Sequence, residues 1–81
     1  MYDNAIFRER FYKLEREESL TLAEVAIRCG WGTDTKPDSS RVARQLGINK
    51  DCGEYRTEVT QQTAECLCKA LHIDPYEVPD L

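Results

Sequence analysis

The sequence predicts an all-α fold, a bundle of five helices in a single domain spanning residues 1–81. Three observations lead there. Apolar residues recur at intervals of three and four along most of the chain, the period of a helix with one buried face. Capping residues, Gly and Pro punctuate those stretches where helices start and stop. No segment alternates apolar and polar residues strongly enough to make a convincing strand.

The first helix is expected over residues 4–17. Phe7, Phe11 and Leu14 fall at i, i+4 and i+7 with Ile6 beside them, and Asp3 or Asn4 can cap the start. Thr21 followed by Glu24 predicts a capping box that opens the second helix, with Leu22, Val25, Ala26 and Cys29 as its buried stripe and Gly30 as its stop. Residues 30–37 read as a loop, since they hold two glycines and a proline. A third helix starts at Asp38 or Ser39, buries Val42, Ala43 and Leu46, and ends at Gly47. Residues 49–58 form a polar connection, with weak alternation over residues 54–59 but no strand expected. A fourth helix over residues 60–72 buries Ala64, Leu67, Cys68 and Leu71. Asp74-Pro75-Tyr76-Glu77 opens a fifth, short helix with an Asp cap, a Pro in the first turn and Glu at the third position.

A length of 81 residues leaves room for one core. The chain carries 41% hydrophobic and 32% charged residues and a net charge of −4, which taken alone argues against a phosphate-rich partner. The charge is unevenly spread. Residues 28–56 hold six basic groups against four acidic ones, whereas residues 57–81 hold only Lys69 against five acids. Between Ser39 and Lys50 there is no acidic residue, while Arg41, Arg44 and Lys50 are present. Any anion is therefore expected at the middle third. At 100° per residue, Arg41, Arg44 and Gln45 lie within about 100° of arc, opposite the apolar side of the third helix.

A capped helix with Ala26-Ile27-Arg28-Cys29-Gly30 at its end, then a turn, then a short polar helix is the helix-turn-helix plan. The stretch 19–26, Ser-Leu-Thr-Leu-Ala-Glu-Val-Ala, resembles the start of the second helix in Cro/cI-type (lambda-repressor-like, XRE-family) DNA-binding domains. The stretch 64–78, from Ala64 to Val78, resembles that family's closing pair of helices. One feature departs from it: about eight residues, 30–37, stand where the family has a turn of only a few.

The resemblance implies a lambda-repressor-like bundle and sequence-specific binding of a double-stranded DNA operator. It also implies transcription regulation, usually repression, often as a homodimer, in a phage or bacterial setting. The residue chemistry agrees. Arg41 and Arg44 can pair with guanine edges and Gln45 with adenine edges in the major groove. Ser39 and Ser40 suit phosphate oxygens near a helix start, and Lys36, Lys50 and Thr33 add contacts at either side. The alternative is a small acidic interaction module on the same fold that binds a regulatory protein. Trp31 would then be an exposed anchor rather than a core plug.

Other chemistries find little support. Cys29, Cys52, Cys66, Cys68 and His72 include no Cys-x2-Cys pair, and Cys66 and Cys68 point about 200° apart on a helix. Cys68 and His72 share a face, but Cys68 also fits the core stripe, so reduced cysteines are expected, with Cys52 and Cys66 exposed and no metal or cofactor. His72 has no nucleophile at a recognised spacing, and no Gly-rich phosphate loop is present, so no enzyme is expected. No apolar run approaches the ~20 residues of a membrane span, and the first residues lack a signal-peptide pattern, so a cytoplasmic protein is expected.

Overall fold

A computed structural model of the chain describes residues 1–48 and 57–79. The described elements are β1 (Tyr2–Asp3), α1 (Ala5–Glu18), α2 (Leu22–Cys29), α3 (Ser39–Leu46), β2 (Glu58–Val59), α4 (Gln61–Ala70) and a 3₁₀ turn (Pro75–Glu77). The fold is mostly helical, as expected, but the fifth helix is one 3₁₀ turn and a two-stranded ribbon is added. The Asp74–Glu77 capping box is present in full, with the Asp74 carboxylate accepting from Tyr76 N–H and Glu77 accepting from Asp74 N–H at 2.8 Å. It closes a single turn that runs out at Val78, whose side chain is buried.

Each helix obeys local rules at its ends. Asp3 accepts from the Ala5 N–H at 2.8 Å, so Asp3 does the capping that Asn4 could also have done. Thr21 accepts from Glu24 N–H, but Glu24 does not complete the expected box. Its carboxylate pairs instead with Arg28 one turn on, at 3.1 Å. Thr60 caps α4, which stops at Ala70, two residues short of expectation. There His72 turns left-handed at φ 55° and Ile73 N–H donates back to Cys68.

The core gathers Phe7, Phe11 and Leu14 from α1, Val25 and Ala26 from α2, and Val42 and Leu46 from α3. Ala64, Leu67, Cys68 and Ala70 of α4 complete it, together with Val59, Leu71, Ile73 and Val78. Helix α2 packs against both α3 and α4, and α1 packs against α3. The ribbon ties the N-terminus to the residues before α4: Tyr2 pairs antiparallel with Val59 and Asp3 with Glu58, and Asn4 N–H donates to Thr57 at 3.0 Å. The weak alternation over residues 54–59 thus becomes a strand only at Glu58–Val59 among the described residues, and its partner is the N-terminus.

Side chains brace helix ends across the bundle. Arg8 donates to Leu46 O at the end of α3, Arg28 to Ala70 O at the end of α4 (2.8 Å), and Arg10 to His72 O (2.9 Å). Arg10 also pairs with Glu77 at 2.9 Å, fastening the 3₁₀ turn to α1. Each places a cation where unpaired carbonyls and the negative end of the helix dipole converge. Asn4, 1% exposed, donates from Nδ2 to Gln45 O at 3.0 Å, pinning the start of α1 to the end of α3.

Candidate nucleic-acid interface

The enlarged turn between α2 and α3 is folded, and its form explains how the two helices stay packed. Trp31 N–H donates to Ala26 O at 2.8 Å as α2 ends through left-handed Gly30. Asp38 N–H then donates to Trp31 O at 3.1 Å, and Thr33 and Lys36 exchange both backbone hydrogen bonds at 3.1 Å. Residues 32–37 are therefore a small hairpin pinched off at its base, with Gly32 bridged to Pro37. The chain leaves and returns at nearly one point, so α2 and α3 meet much as they would across a short turn. Gly32 makes the base tight. At φ +85° a side chain there is strained, and a Cβ would lie 2.5 Å from Lys36 O and 2.6 Å from Asp38 N.

Beyond the hairpin, α3 buries Val42, Ala43 and Leu46 and exposes Ser40, Arg41 and Arg44, with Ser39 half-buried. Lys36 is exposed on the returning limb of the hairpin, on the approach to α3. Arg41, Arg44 and Lys36 form no ion pair among the described residues. The Arg41 guanidinium lies 4.4 Å from the centroid of the Trp31 ring, an attraction that fixes the side chain without consuming its N–H donors. Trp31 is 7% exposed and belongs to the core cluster, so it plugs the junction of α2 and the hairpin, with its ring covered by Arg41.

Several expected contact residues sit differently from the simple helical projection. The Asp38 side chain accepts from Arg41 N–H, and Ser39 N–H donates to Pro37 O. The start of α3 thus spends the Ser39 and Arg41 N–H groups internally and carries a carboxylate, which disfavours an anion at this helix end. Thr33 Oγ1 accepts from Lys36 N–H and bonds Thr35 Oγ1, so its hydroxyl holds the hairpin. Gln45 is half-buried, and its Oε1 is enclosed with no partner among the described residues. Lys50 lies outside the described residues. Arg28, counted in the basic middle third, is held by Glu24 and Ala70 O. Of the expected contact residues, Lys36, Ser40, Arg41 and Arg44 are exposed and in no ion pair among the described residues.

Behind Arg41 lies a cavity of about 170 Å³ lined by Cys29, Trp31, Arg41, Gln62, Thr63 and Cys66. Cys66 is half-buried rather than exposed, Cys29 likewise, and Cys52 lies outside the described residues. Burial pushes the Cys29 thiol up to about 12. The nearby Cys66 adds to the rise and the Arg41 charge opposes it, so Cys29 is a neutral thiol at pH 7. Burial also raises the Cys68 thiol, helped by the charges of Glu77, Asp74 and Glu65. Among the described residues no three or more His, Cys, Asp or Glu side chains form a group able to hold a metal ion. No helix is long and apolar enough to cross a membrane among them.

The Glu24–Arg28 pair, which the capping-box reading of Glu24 passed over, had a signal in its i,i+4 spacing. The Arg41–Trp31 stack, the cavity shared by Cys29 and Cys66 and the Asn4 pin had no such mark, because their partners meet only when α2, α3, α4 and α1 pack. Comparison with protein-family models, with curated proteins and with solved structures finds no match, so the case for function rests on this interface itself.

Proposed function

We propose that the protein is a cytoplasmic, sequence-specific double-stranded DNA-binding regulator, acting as a repressor of the phage or bacterial type, with α3 in the major groove. The observation that carries this reading is the outward side of α3. A short helix packed against α2 presents Ser40, Arg41 and Arg44 beside Lys36, with no acidic side chain from Ser39 to Ile48. Two arginines one turn apart suit two guanine edges, and the Trp31 stack holds one of them in place before contact. The acidic 57–79 region belongs to other elements and lowers non-specific affinity. A homodimer reading a two-fold operator is the natural assembly for such a domain.

The test is selection of bound duplexes from a random library, followed by anisotropy titrations across a salt series. Arg44→Ala and Arg41→Ala should each cost about 1–3 kcal/mol on the selected site. Lys36→Ala should weaken all duplexes alike and flatten the salt slope by about one unit. A folded double variant at Arg41 and Arg44 with unchanged affinity refutes the assignment. A second reading, a protein-binding module, draws on Tyr76, which is 96% exposed between Asp74 and Glu77. Selection that enriches no duplex at low salt favours that reading.

A further inference from the structure

The cavity behind Arg41 brings together two sulfur donors from different helices. Cys29 closes α2 and Cys66 lies within α4, and these two helices pack directly on each other. Both thiols are half-buried and line the same 170 Å³ space, which Gln62 and Thr63 make polar and which Arg41 borders. Cys29 and Cys66 are packed against the edge of the apolar core and also line this space, whereas Cys68 belongs to the core itself. We propose that Cys29 and Cys66 form a two-coordinate thiolate site for a soft monovalent cation of the copper(I) or silver(I) class.

The donor set selects the ion. With no group of three or more ligands among the described residues, tetrahedral zinc has too few partners, whereas d¹⁰ monovalent ions are satisfied by two thiolates. Binding forms two S–M bonds and breaks two S–H bonds, with both protons passing to water and no electron transferred. Two thiolates and one monovalent cation carry a net charge of −1, and the bordering Arg41 guanidinium supplies the balancing +1. The same arginine that stacks on Trp31 is thereby coupled to the ion, so loading draws Arg41 toward the cavity. The site stands whether or not α3 binds DNA.

The test is anaerobic titration of the reduced protein with copper(I) against a chromophoric copper(I) chelator, with silver(I) as an air-stable second probe. One ion per chain is expected. Cys29→Ser and Cys66→Ser should each weaken binding by more than about tenfold, because a single thiolate cannot complete the pair. Arg41→Gln should weaken it roughly five- to tenfold, the scale of one charge pair near a surface, and Arg41→Lys should restore most of that loss. In the wild type, silver(I) should protect Cys29 and Cys66 together from alkylation, mapped by peptide mass, a readout that needs no variant to fold. Protection falling on Cys52 or Cys68 instead, or either serine variant binding as the wild type does, overturns the proposal.

Discussion

Replacing Gly32 with Ala should destabilise the domain far more than the same change at Gly30, although both glycines have positive φ. At Gly30 (φ +73°) an added Cβ meets nothing within 4 Å, so the cost is backbone strain alone, about 1–2 kcal/mol. At Gly32 (φ +85°) the strain is similar, but the Cβ would lie 2.5 Å from Lys36 O, 2.6 Å from Asp38 N and 3.0 Å from Pro37 Cα, all backbone. No side chain can swing away, so the hairpin base must open. Opening it weakens the Asp38 N–H bond to Trp31 O, worth about 1 kcal/mol, and disturbs the Asp38 cap of α3. Together these give about 2–4 kcal/mol for Gly32→Ala, a fall in melting midpoint of roughly 10–25 °C for a domain this small. Urea denaturation followed by far-ultraviolet circular dichroism measures both variants on one scale. Equal losses, or a smaller loss at Gly32, would refute the pinched hairpin as the device that joins α2 to α3.

Two further outcomes follow from the bracing and the thiols. Asn4→Ala removes a buried amide that donates to Gln45 O and accepts from Arg8, and should cost about 1–3 kcal/mol in the same assay. Asn4→Ser, which keeps polarity without reach, should not recover it. The Cys29 thiol is raised from 9.0 to about 12 by burial and by Cys66, so the folded state holds a proton that the unfolded chain releases first. Its contribution is therefore complete below about pH 9 and is lost as pH rises toward 12, and Cys29→Ser should lose stability less steeply across that window than the wild type does. Parallel stability profiles for the two proteins would contradict the shift.

What was legible in the sequence was local. Thr21 and Asp74 cap where expected, and Gly30 and Gly47 end their helices, because each of these acts on backbone within one turn of itself. The stripe Phe7, Phe11 and Leu14 is buried as its spacing requires. Local rules failed where two partners competed for one group. Glu24 had both the Thr21 backbone and Arg28 within reach and pairs with Arg28. The fifth helix is a single 3₁₀ turn although its capping box forms in full. Glu77 serves both the Asp74 cap and Arg10 of α1, which holds the segment as one braced turn.

The candidate interface divides along the same line. Sequence by itself determined that α3 would bury Val42 and Leu46 and turn Arg41 and Arg44 outward, since a helical period and the cost of burying guanidinium charge leave no other arrangement. Only the tertiary structure decided which polar groups remain available. It draws Gln45 partly inward, commits the Thr33 hydroxyl to the hairpin, fastens Arg28 to the end of α4 and lays Arg41 on Trp31. Those outcomes depend on where α1, α4 and the hairpin come to rest against α3. Contacts between residues tens of positions apart carry no periodic signature in the chain, and packing alone brings them into being.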